Sequence, residues 1–356
     1  MKNKKHNIKV LVAYNGLEFS DPNHANFISE AEVKRTAEYV FETANAIGFS
    51  AELISVSNIS SIISTLEKFS PDIVFNLCEG WRGDSDLEMN VAALWELLGL
   101  PFTGNRAKTL AISQDKPFAK AILAEHGILV PKGEVFSRVP AKTKLKFPLI
   151  AKPAREDASL GIGTNPVLEN IKDLKRKVEE LLFEYQQPIL VEEFIDGREF
   201  NAAIVGTVNP TILPISEIDF THLDQNYPRV TSYEAKWIED SPLYQKTPSV
   251  CPAQIPAKLA GKISSIALDV FRILEGKDYG RVDFRVNQEG EIFVLEYNPN
   301  PAIAPDSGFH KALNAAGLSF GDFIESLVFE NLGIVKGSSN SRKNQRKYRE
   351  NKKNVA

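Results

Sequence analysis

Strand and helix signals alternate along the first hundred residues, and this order constrains the fold more than any other feature. Helical patterns separate three short apolar runs that are typical of buried strands, at 8–14, 51–57 and 72–78. Ser29, with Glu32 three residues later, predicts the start of the first helix, and Gly48 predicts its end. This order predicts a parallel sheet with right-handed crossovers. A site is expected where its strands end, at 14–16 and 77–80.

Later segments follow a different pattern. The chain has 356 residues, which is too long for one ordinary core. A helix and mixed strands fill 113–195, and antiparallel strands with helices on one side fill 196–335. We therefore predict an N-terminal α/β domain at 1–112 followed by two α+β units.

Composition excludes several classes of protein. No apolar run reaches the 18 residues or so of a membrane helix, so no membrane partner is expected. The apolar run 8–13 is too short for a signal peptide. Cys78 and Cys251 have no second Cys or His at ligand spacing, which argues against zinc. So few cysteines indicate a reducing, cytoplasmic location.

The last segment, 336–356, has eight basic residues, one acidic residue and almost no apolar ones. Such a composition predicts disorder. The tail either meets an anionic partner, such as nucleic acid or a membrane surface, or simply aids solubility. The second interpretation is favoured because only one aromatic residue, Tyr348, lies among the basic residues to allow base stacking, so nucleic acid is not expected as a partner.

The hairpin 280–302 carries the most informative polar pattern. A two-residue turn at Gln288 and Glu289 would pair 283 with 294 and 281 with 296. Strand alternation then places four polar side chains on one face: Arg281, Asp283, Glu296 and Asn298. The opposite face would supply the core through Val282, Phe284 and Val286.

Hard oxygen ligands beside an arginine suit Mg²⁺ that phosphate oxygens also hold. The alternative is a surface hairpin in which Arg281 merely pairs with Glu296. That alternative explains less well why Pro299 and Pro301 end the strand directly after the asparagine.

With these residues the chain resembles the ATP-grasp superfamily, and within it the D-alanine–D-alanine ligase family, over roughly 9–332. The family pattern is Arg-x-Asp followed by Glu-x-Asn. The resemblance implies an N-terminal parallel-sheet domain followed by a two-subdomain ATP-grasp fold. It also implies that Asp283, Glu296 and Asn298 hold two Mg²⁺ ions, with Mn²⁺ as an alternative. Arg281 would stabilise the phosphoryl group and the developing oxyanion.

The same resemblance assigns an ATP site. Lys116, Lys152 and Lys236 would reach the phosphates, with Lys236 on a mobile loop. Gly161 and Gly163 would let a covering loop approach them. The remaining assignments are Glu192 for the adenine amino group, the backbone of Phe194 and Ile195 for adenine, and Glu199 for the ribose hydroxyls. Taken singly, most of these residues are also compatible with a solvated surface position, whereas Lys152 ends an apolar strand and there needs a partner.

The substrate end departs from the family pattern. The N-terminal His-Gly-Gly-x-Ser-x-Glu stretch is absent, and Glu18 or Glu30 are alternatives for its acid. The loop serine falls at Ala158, with Ser159 adjacent as the candidate catalytic serine. Four further substrate positions hold family substitutions or partial matches: Glu79 for histidine, Trp237 for tyrosine, Ala302 for glycine, and Ser307-Gly308 for Ser-Leu.

The resemblance thus implies an ADP-forming ligase that joins amino acids or small peptides through an acyl phosphate. Glu79 and Trp237 suggest a cationic, larger or differently oriented first substrate. A polar loop at 221–246 is expected to close over the site. Two other interpretations remain, an authentic D-alanine–D-alanine ligase and a non-catalytic ATP-binding regulator. The family resemblance also implies a homodimer through the N-terminal domain.

Overall fold

A computed structural model describes residues 7–16, 27–156, 161, 163, 166–224, 227–238 and 240–334. The chain forms two compact units. The first contains 1–106, 206–209 and 317–356, and the second contains 107–205 and 210–316. The domain limits drawn from the sequence at residues 112, 195 and 335 stay predictions. The basic tail at 336–356 lies outside the described residues.

The first unit contains the parallel sheet that the sequence predicts. Strand β1 is central, and β2 and β3 run parallel to it on either side. Four residues of β1 in succession are fully buried, as expected for a strand covered on both faces. Its elements are β1 (Lys9–Tyr14), α1 (Phe27–Ala46), β2 (Ser50–Ser55), α2 (Ile59–Phe69), β3 (Ile73–Asn76) and α3 (Glu88–Leu97).

The predicted ends of α1 were half right. The helix begins at Phe27, so Ser29, expected to precede it, lies in its first turn. Ser and Glu are also common within the first turn of a helix, so the pattern located the start of the helix to within a few residues but not to the exact residue. The predicted stop is confirmed, because Gly48 has a positive φ of 101° just after the helix.

The second unit begins with two helices and an antiparallel sheet in the order β4-β7-β5-β6. Helix α6 packs on this sheet, and a core of Leu149, Leu174, Val178 and Val191 joins them. The elements are α4 (Ala107–Gln114), α5 (Lys116–Glu125), β4 (Gly133–Phe136), β5 (Leu149–Pro153), β6 (Val167–Leu168), α6 (Ile171–Tyr185) and β7 (Ile189–Glu193).

A larger antiparallel sheet completes the second unit, in the order β11-β10-β8-β12-β13 with β9 paired to β8. Its apolar face packs on α9 through Phe200, Phe271, Phe284 and Val294. The elements are β8 (Arg198–Val205), β9 (Thr211–Ile212), β10 (Ser216–Ile218), α7 (Tyr233–Trp237), α8 (Pro242–Lys246), β11 (Ser249–Val250), α9 (Ala257–Ile273), β12 (Tyr279–Val286), β13 (Ile292–Asn298) and α10 (Gly308–Ala315).

The register predicted for the β12–β13 hairpin is wrong. The connection has three residues, 288–290, because the Asn287 N–H bonds to the Glu291 carbonyl at 3.1 Å and Gly290 takes a positive φ of 80°. A bulge at Leu295 then shifts the pairing by a second residue. Two one-residue shifts preserve the side-chain alternation, so the predicted polar and apolar faces are both confirmed.

The last described helix, α11 (Phe320–Asn331), returns to the first unit. Phe320 stacks on Tyr39 of α1 with ring centroids 4.8 Å apart. Phe329 meets Phe49 edge to face at 6.0 Å. Among the described residues, none of the helices combines the length and apolarity that a membrane crossing requires.

Candidate active site

The predicted metal residues meet at the open end of the β12–β13 hairpin. Asp283 lies directly opposite Glu296, and Arg281 lies opposite Asn298. The Asn298 carboxamide nitrogen lies 2.9 Å from Asp283 Oδ2 and 3.4 Å from Glu296 Oε1. Arg281 donates two bonds of 2.7 Å to Asp283. Two carboxylates and a carboxamide therefore share one polar pocket of the sheet.

Cations surround Glu296. Burial alone would raise the pKa of its carboxyl, but four nearby cations outweigh burial and lower the pKa to about 2. These cations are Lys116, Lys152, Arg281 and Lys236. They are the four that the sequence assigns to phosphate and phosphoryl stabilisation. The structure thus brings together charges that lie up to 165 positions apart along the chain, around a carboxylate that stays ionised.

Local structure explains how two of these lysines are placed. Asp115 caps α5 by accepting the Phe118 N–H at 3.1 Å, which puts Lys116 at the first position of the helix. Lys116 is only 4% exposed. Lys152 lies on β5 and pairs with Glu192 Oε2 on the neighbouring strand β7 at 2.9 Å. A helix start and a sheet therefore hold the two amines.

Glu192 is 2% exposed and its carboxylate lies between two lysines. Its second oxygen contacts Lys120 of α5, a residue that the sequence analysis missed. Burial opposes the charge on Glu192, yet Lys120 and Lys152 lower the pKa of its carboxyl overall. Burial also lowers the pKa of Lys120 to about 8, more than Glu192 raises it. Lys120 lies four residues after Lys116 and therefore on the same face of α5, and this spacing was the sequence signal that could have identified it.

Asn201 is a second residue that the sequence analysis missed. It pairs with Asp283 across β8 and β12, and its Nδ2 donates to Asp283 Oδ1 at 2.7 Å. Asp283 thereby accepts hydrogen bonds from Arg281, Asn201 and Asn298. The contact between Asn201 and Asp283 depends on the register of two strands that are far apart in the sequence, so no local sequence pattern predicted it.

The predicted ribose acid, Glu199, already has two partners. Arg285 Nη2 donates to its Oε2 at 2.6 Å, and Thr231 Oγ1 donates to its Oε1 at 2.8 Å. Arg285 also donates to the carbonyl of Ile195 at 3.2 Å, and its guanidinium lies 5.3 Å from the Phe194 ring. Three of the four residues predicted for adenine and ribose, Phe194, Ile195 and Glu199, are thus neighbours, joined by an arginine that the sequence analysis left out.

The covering-loop residues are only partly described. Gly161 has a positive φ of 78°, and a Cβ there would lie 2.7 Å from Pro153 Cδ, so glycine is required on both counts. Gly163 has open space around it. Ser159, the candidate catalytic serine, and Glu18 lie outside the described residues.

The predicted substrate residues occupy separate places. Glu79 is an exposed residue of the first unit, and its N–H donates to Asn15 Oδ1 at 3.0 Å. In the second unit, Ser307 caps α10 by accepting the His310 N–H at 3.1 Å. Trp237 ends α7, directly after Lys236, and Ala302 follows β13. None of these positions, by itself, identifies a substrate.

The donor set can be tested against a divalent metal. Among the described residues, no group of three or more His, Cys, Asp or Glu side chains is arranged to hold a metal. Asp283 and Glu296 form a sparser set of carboxylate oxygens, and Asn298, whose Nδ2 faces both of them, would add its carboxamide oxygen after rotation of the amide. Mg²⁺ typically takes one or two carboxylates and completes its shell with water and phosphate oxygens, so this set fits Mg²⁺ and excludes an all-protein cage.

Comparison with known proteins identifies the family of this chain. Residues 121–329 match the family model described as D-ala D-ala ligase C-terminus. This chain belongs to the D-alanine–D-alanine ligase family. The match covers the larger part of the chain, including the whole hairpin, and the family makes it an ATP-dependent, ADP-forming ligase that forms an amide bond.

Individual relatives extend the match. An uncharacterized protein of Sinorhizobium fredii is 32% identical over 75% of this chain and 79% of its own length. A D-alanine–D-alanine ligase of Aquifex aeolicus is 30% identical over 84% of this chain and 96% of its own. The crystal structure of a Bacillus anthracis D-alanine–D-alanine ligase complexed with ATP aligns with a TM-score of 0.71 at 20% identity, covering 91% and 97% of the two chains. This last likeness supports the ATP-grasp fold.

Proposed function

We propose that this ligase joins amino acids or small peptides through an acyl-phosphate intermediate and that its first substrate is not plain D-alanine. The observation that carries the reaction is the ionised Glu296 carboxylate surrounded by four cations beside Asp283 and Asn298. A carboxylate substrate and a triphosphate repel each other, so their reaction needs such concentrated positive charge.

Each residue has a role in the proposed reaction. Lys116, Lys152 and Lys236 bind the phosphates of ATP and neutralise their charge as the substrate carboxylate attacks the γ-phosphate. Arg281, held by Asp283 in a two-bond pair, stabilises the transferred phosphoryl group and then the oxyanion that forms when an amine attacks the acyl carbon. Ser159 orients the first substrate, and Gly161 and Gly163 let the covering loop approach the phosphates.

The metal residues complete the charge balance. Asp283, Glu296 and Asn298 would hold two Mg²⁺ ions, or Mn²⁺ in their place, which would screen the phosphate oxygens when bound. Arg281 and Asn298 fix the two carboxylates in place, so the oxygen ligands are oriented before a cation arrives. Phe194 and Ile195 contact the adenine through their backbone, Glu192 binds its amino group, and Glu199 binds the ribose.

The proposal of a different first substrate rests on the substitutions at the substrate end. The exposed carboxylate of Glu79 stands where the family has histidine, and Trp237 stands for tyrosine. A carboxylate favours a cationic group on the substrate, whereas a neutral or cationic histidine does not. Ala302 and Ser307 would line the acceptor side of the pocket. These small-molecule substrates and ATP are cytoplasmic, which is where we place the protein.

Two alternatives are kept. The relatives named as D-alanine–D-alanine ligases favour an authentic ligase with an unusual pocket. A non-catalytic ATP-binding regulator is disfavoured, because a regulator does not require both metal carboxylates and all four cations. Dimerisation through the first unit is also proposed, and sedimentation of the purified chain at two concentrations tests it.

A screen of ADP release across amino acids and short peptides, with products identified by mass spectrometry, tests the function. The proposal expects ADP and a ligated product with at least one carboxylate–amine pair that includes a donor other than D-alanine. Lysine, ornithine and arginine, in both configurations, test the role of Glu79. Absence of ADP release with every pair, from a chain that binds ATP, would support the regulator instead.

A further inference from the structure

Arg285 is a buried cation that donates three hydrogen bonds. It is 3% exposed, and it donates to Glu199, to the Ile195 carbonyl and to the Arg229 carbonyl. Its guanidinium also lies over two aromatic rings, 5.3 Å from the centroid of Phe194 and 5.7 Å from that of Phe220. A buried guanidinium is tolerated only when it is paired and hydrogen-bonded, so these partners are fixed relative to one another.

Those partners belong to two different parts of the proposed nucleotide site. Phe194, Ile195 and Glu199 are the proposed adenine and ribose contacts. Arg229 belongs to the segment that leads to Ser232, whose side chain caps α7 by accepting the Ala235 N–H at 3.2 Å. Helix α7 carries Lys236, the proposed phosphate lysine. Arg285 therefore links the ribose end of the site to the segment that places a phosphate lysine.

The two carboxylate oxygens of Glu199 accept hydrogen bonds from different partners, one from Arg285 and one from Thr231. Oε2 accepts from Arg285 at 2.6 Å, and Oε1 accepts from the Thr231 hydroxyl at 2.8 Å. Thr231 directly precedes the α7 cap. A ribose hydroxyl is chemically the same kind of donor as the threonine hydroxyl, so the two are equivalent ligands for Oε1.

We propose that Arg285 is a positioning residue for ribose recognition, which holds Glu199 by Oε2 while a ribose hydroxyl replaces Thr231 at Oε1. This inference rests on the proposed function, because it assumes that Glu199 belongs to a nucleotide site. Ribose binding then releases the Thr231 side chain, while Arg285 keeps its bond to the Arg229 carbonyl. The segment before α7 thus responds to the ribose without losing its attachment to the sheet.

A purely structural role for Arg285 has a different signature. Loss of a structural residue weakens the binding of every nucleotide by a similar factor. Loss of a residue that orients Glu199 removes only the advantage of nucleotides that carry ribose hydroxyls. The ratio of affinities for ADP and 2′,3′-dideoxy-ADP therefore separates the two roles.

The experiment measures both dissociation constants by isothermal titration calorimetry with the full chain and MgCl₂. Wild type is expected to favour ADP by about tenfold, because the 2′- and 3′-hydroxyls offer Glu199 two donors where Thr231 offers one, and one additional hydrogen bond to a charged group is of this order. Arg285→Met and Glu199→Gln should each bring this ratio close to one, and Arg285→Lys should give an intermediate ratio. Arg198→Met is the matched control, because Arg198 is a more exposed arginine that pairs with Glu217 and also lies over a ring, that of Phe200.

Each outcome has a distinct meaning. If Arg285→Met keeps the wild-type ratio, or loses affinity for both nucleotides equally, the positioning role is refuted. If the methionine variant fails to fold, as judged by circular dichroism, Arg285→Lys decides, and an unchanged ratio refutes the role. If wild type binds neither nucleotide, the proposed function itself fails.

Discussion

Asp283 faces Glu296 directly across two antiparallel strands, and a carboxamide nitrogen from Asn298 lies within hydrogen-bonding distance of both carboxylates. Two acids at this separation repel each other unless cations compensate. Arg281 pairs with the first acid, and three lysines with Arg281 compensate the second. The hairpin is therefore organised for charge neutralisation before any ligand binds, which is what phosphoryl transfer to a carboxylate requires.

Replacing Glu296 by Gln should lower ADP release by at least about a thousandfold, because the variant loses a proposed metal ligand and an anion that balances four cations. The fold should persist, as circular dichroism would show. Glu289→Gln is the matched control, since Glu289 is an exposed residue of the same hairpin's turn. Turnover in Glu296→Gln equal to that of the control would remove the metal assignment.

Replacing Lys120 by Met should weaken ATP binding by about tenfold and reduce the preference for ATP over GTP. Lys120 contacts Glu192, the proposed ligand of the adenine amino group, and the amine's loss frees that carboxylate to move. Competition titrations with both nucleotides measure the effect. Lys172→Met on the exposed face of α6 should change neither value. An unchanged ATP-to-GTP ratio in Lys120→Met would refute the link between Lys120 and adenine.

Lys120 also predicts a pH dependence of stability. Its pKa is about 8 in the folded chain and 10.5 ordinarily, so between these values the unfolded state binds more protons. The free energy of unfolding should therefore rise with pH in this window, by at most about 1.4 kcal/mol per pH unit. Urea unfolding of wild type and Lys120→Met at pH 8, 9 and 10 isolates this contribution. A difference between the two proteins that stays constant across the window would contradict it.

The apolar side of the hairpin should matter for stability rather than chemistry. Phe284 is completely buried in the core shared with α9, so Phe284→Ala should cost about 3–5 kcal/mol. Phe183→Ala is the matched control, because Phe183 is 83% exposed and its loss should cost less than about 0.5 kcal/mol. Urea midpoints of both variants measure the difference. Equal midpoints would show that the assigned core face is wrong.

Periodicity explains why much of this fold was predictable. Side-chain alternation of period two predicted Arg281 and Asp283 on one face of the strand and Phe284 on the other. This assignment was correct although the turn was wrong and the bulge was not foreseen. Each error shifted the pairing by one residue, and two such shifts return the side chains to the predicted face. The parallel sheet followed from element order alone. Neither result required knowledge of which strands pair at long range.

Contacts between residues far apart in the sequence explain most of what the sequence did not predict. Lys120 meets Glu192 over 72 residues, Asn201 meets Asp283 over 82, and Arg285 meets Glu199 over 86. No local pattern encodes such pairs, because two of them depend on sheet order and register and the third depends on how α5 lies against β7. The turn after Asn287 was also missed, because Gly290 is compatible both with a two-residue turn and with the observed three-residue connection, in which it takes a positive φ.

An assay with D-alanine as the only amino acid tests most directly whether this chain ligates a different first substrate. Purified protein with ATP, MgCl₂ and millimolar D-alanine is assayed for ADP and dipeptide by mass spectrometry, with Glu296→Gln as the inactive control. With D-alanine alone, no ADP above that control is expected. ADP release is expected once another carboxylate donor is supplied. ADP release together with D-alanyl-D-alanine formation from D-alanine alone would contradict it.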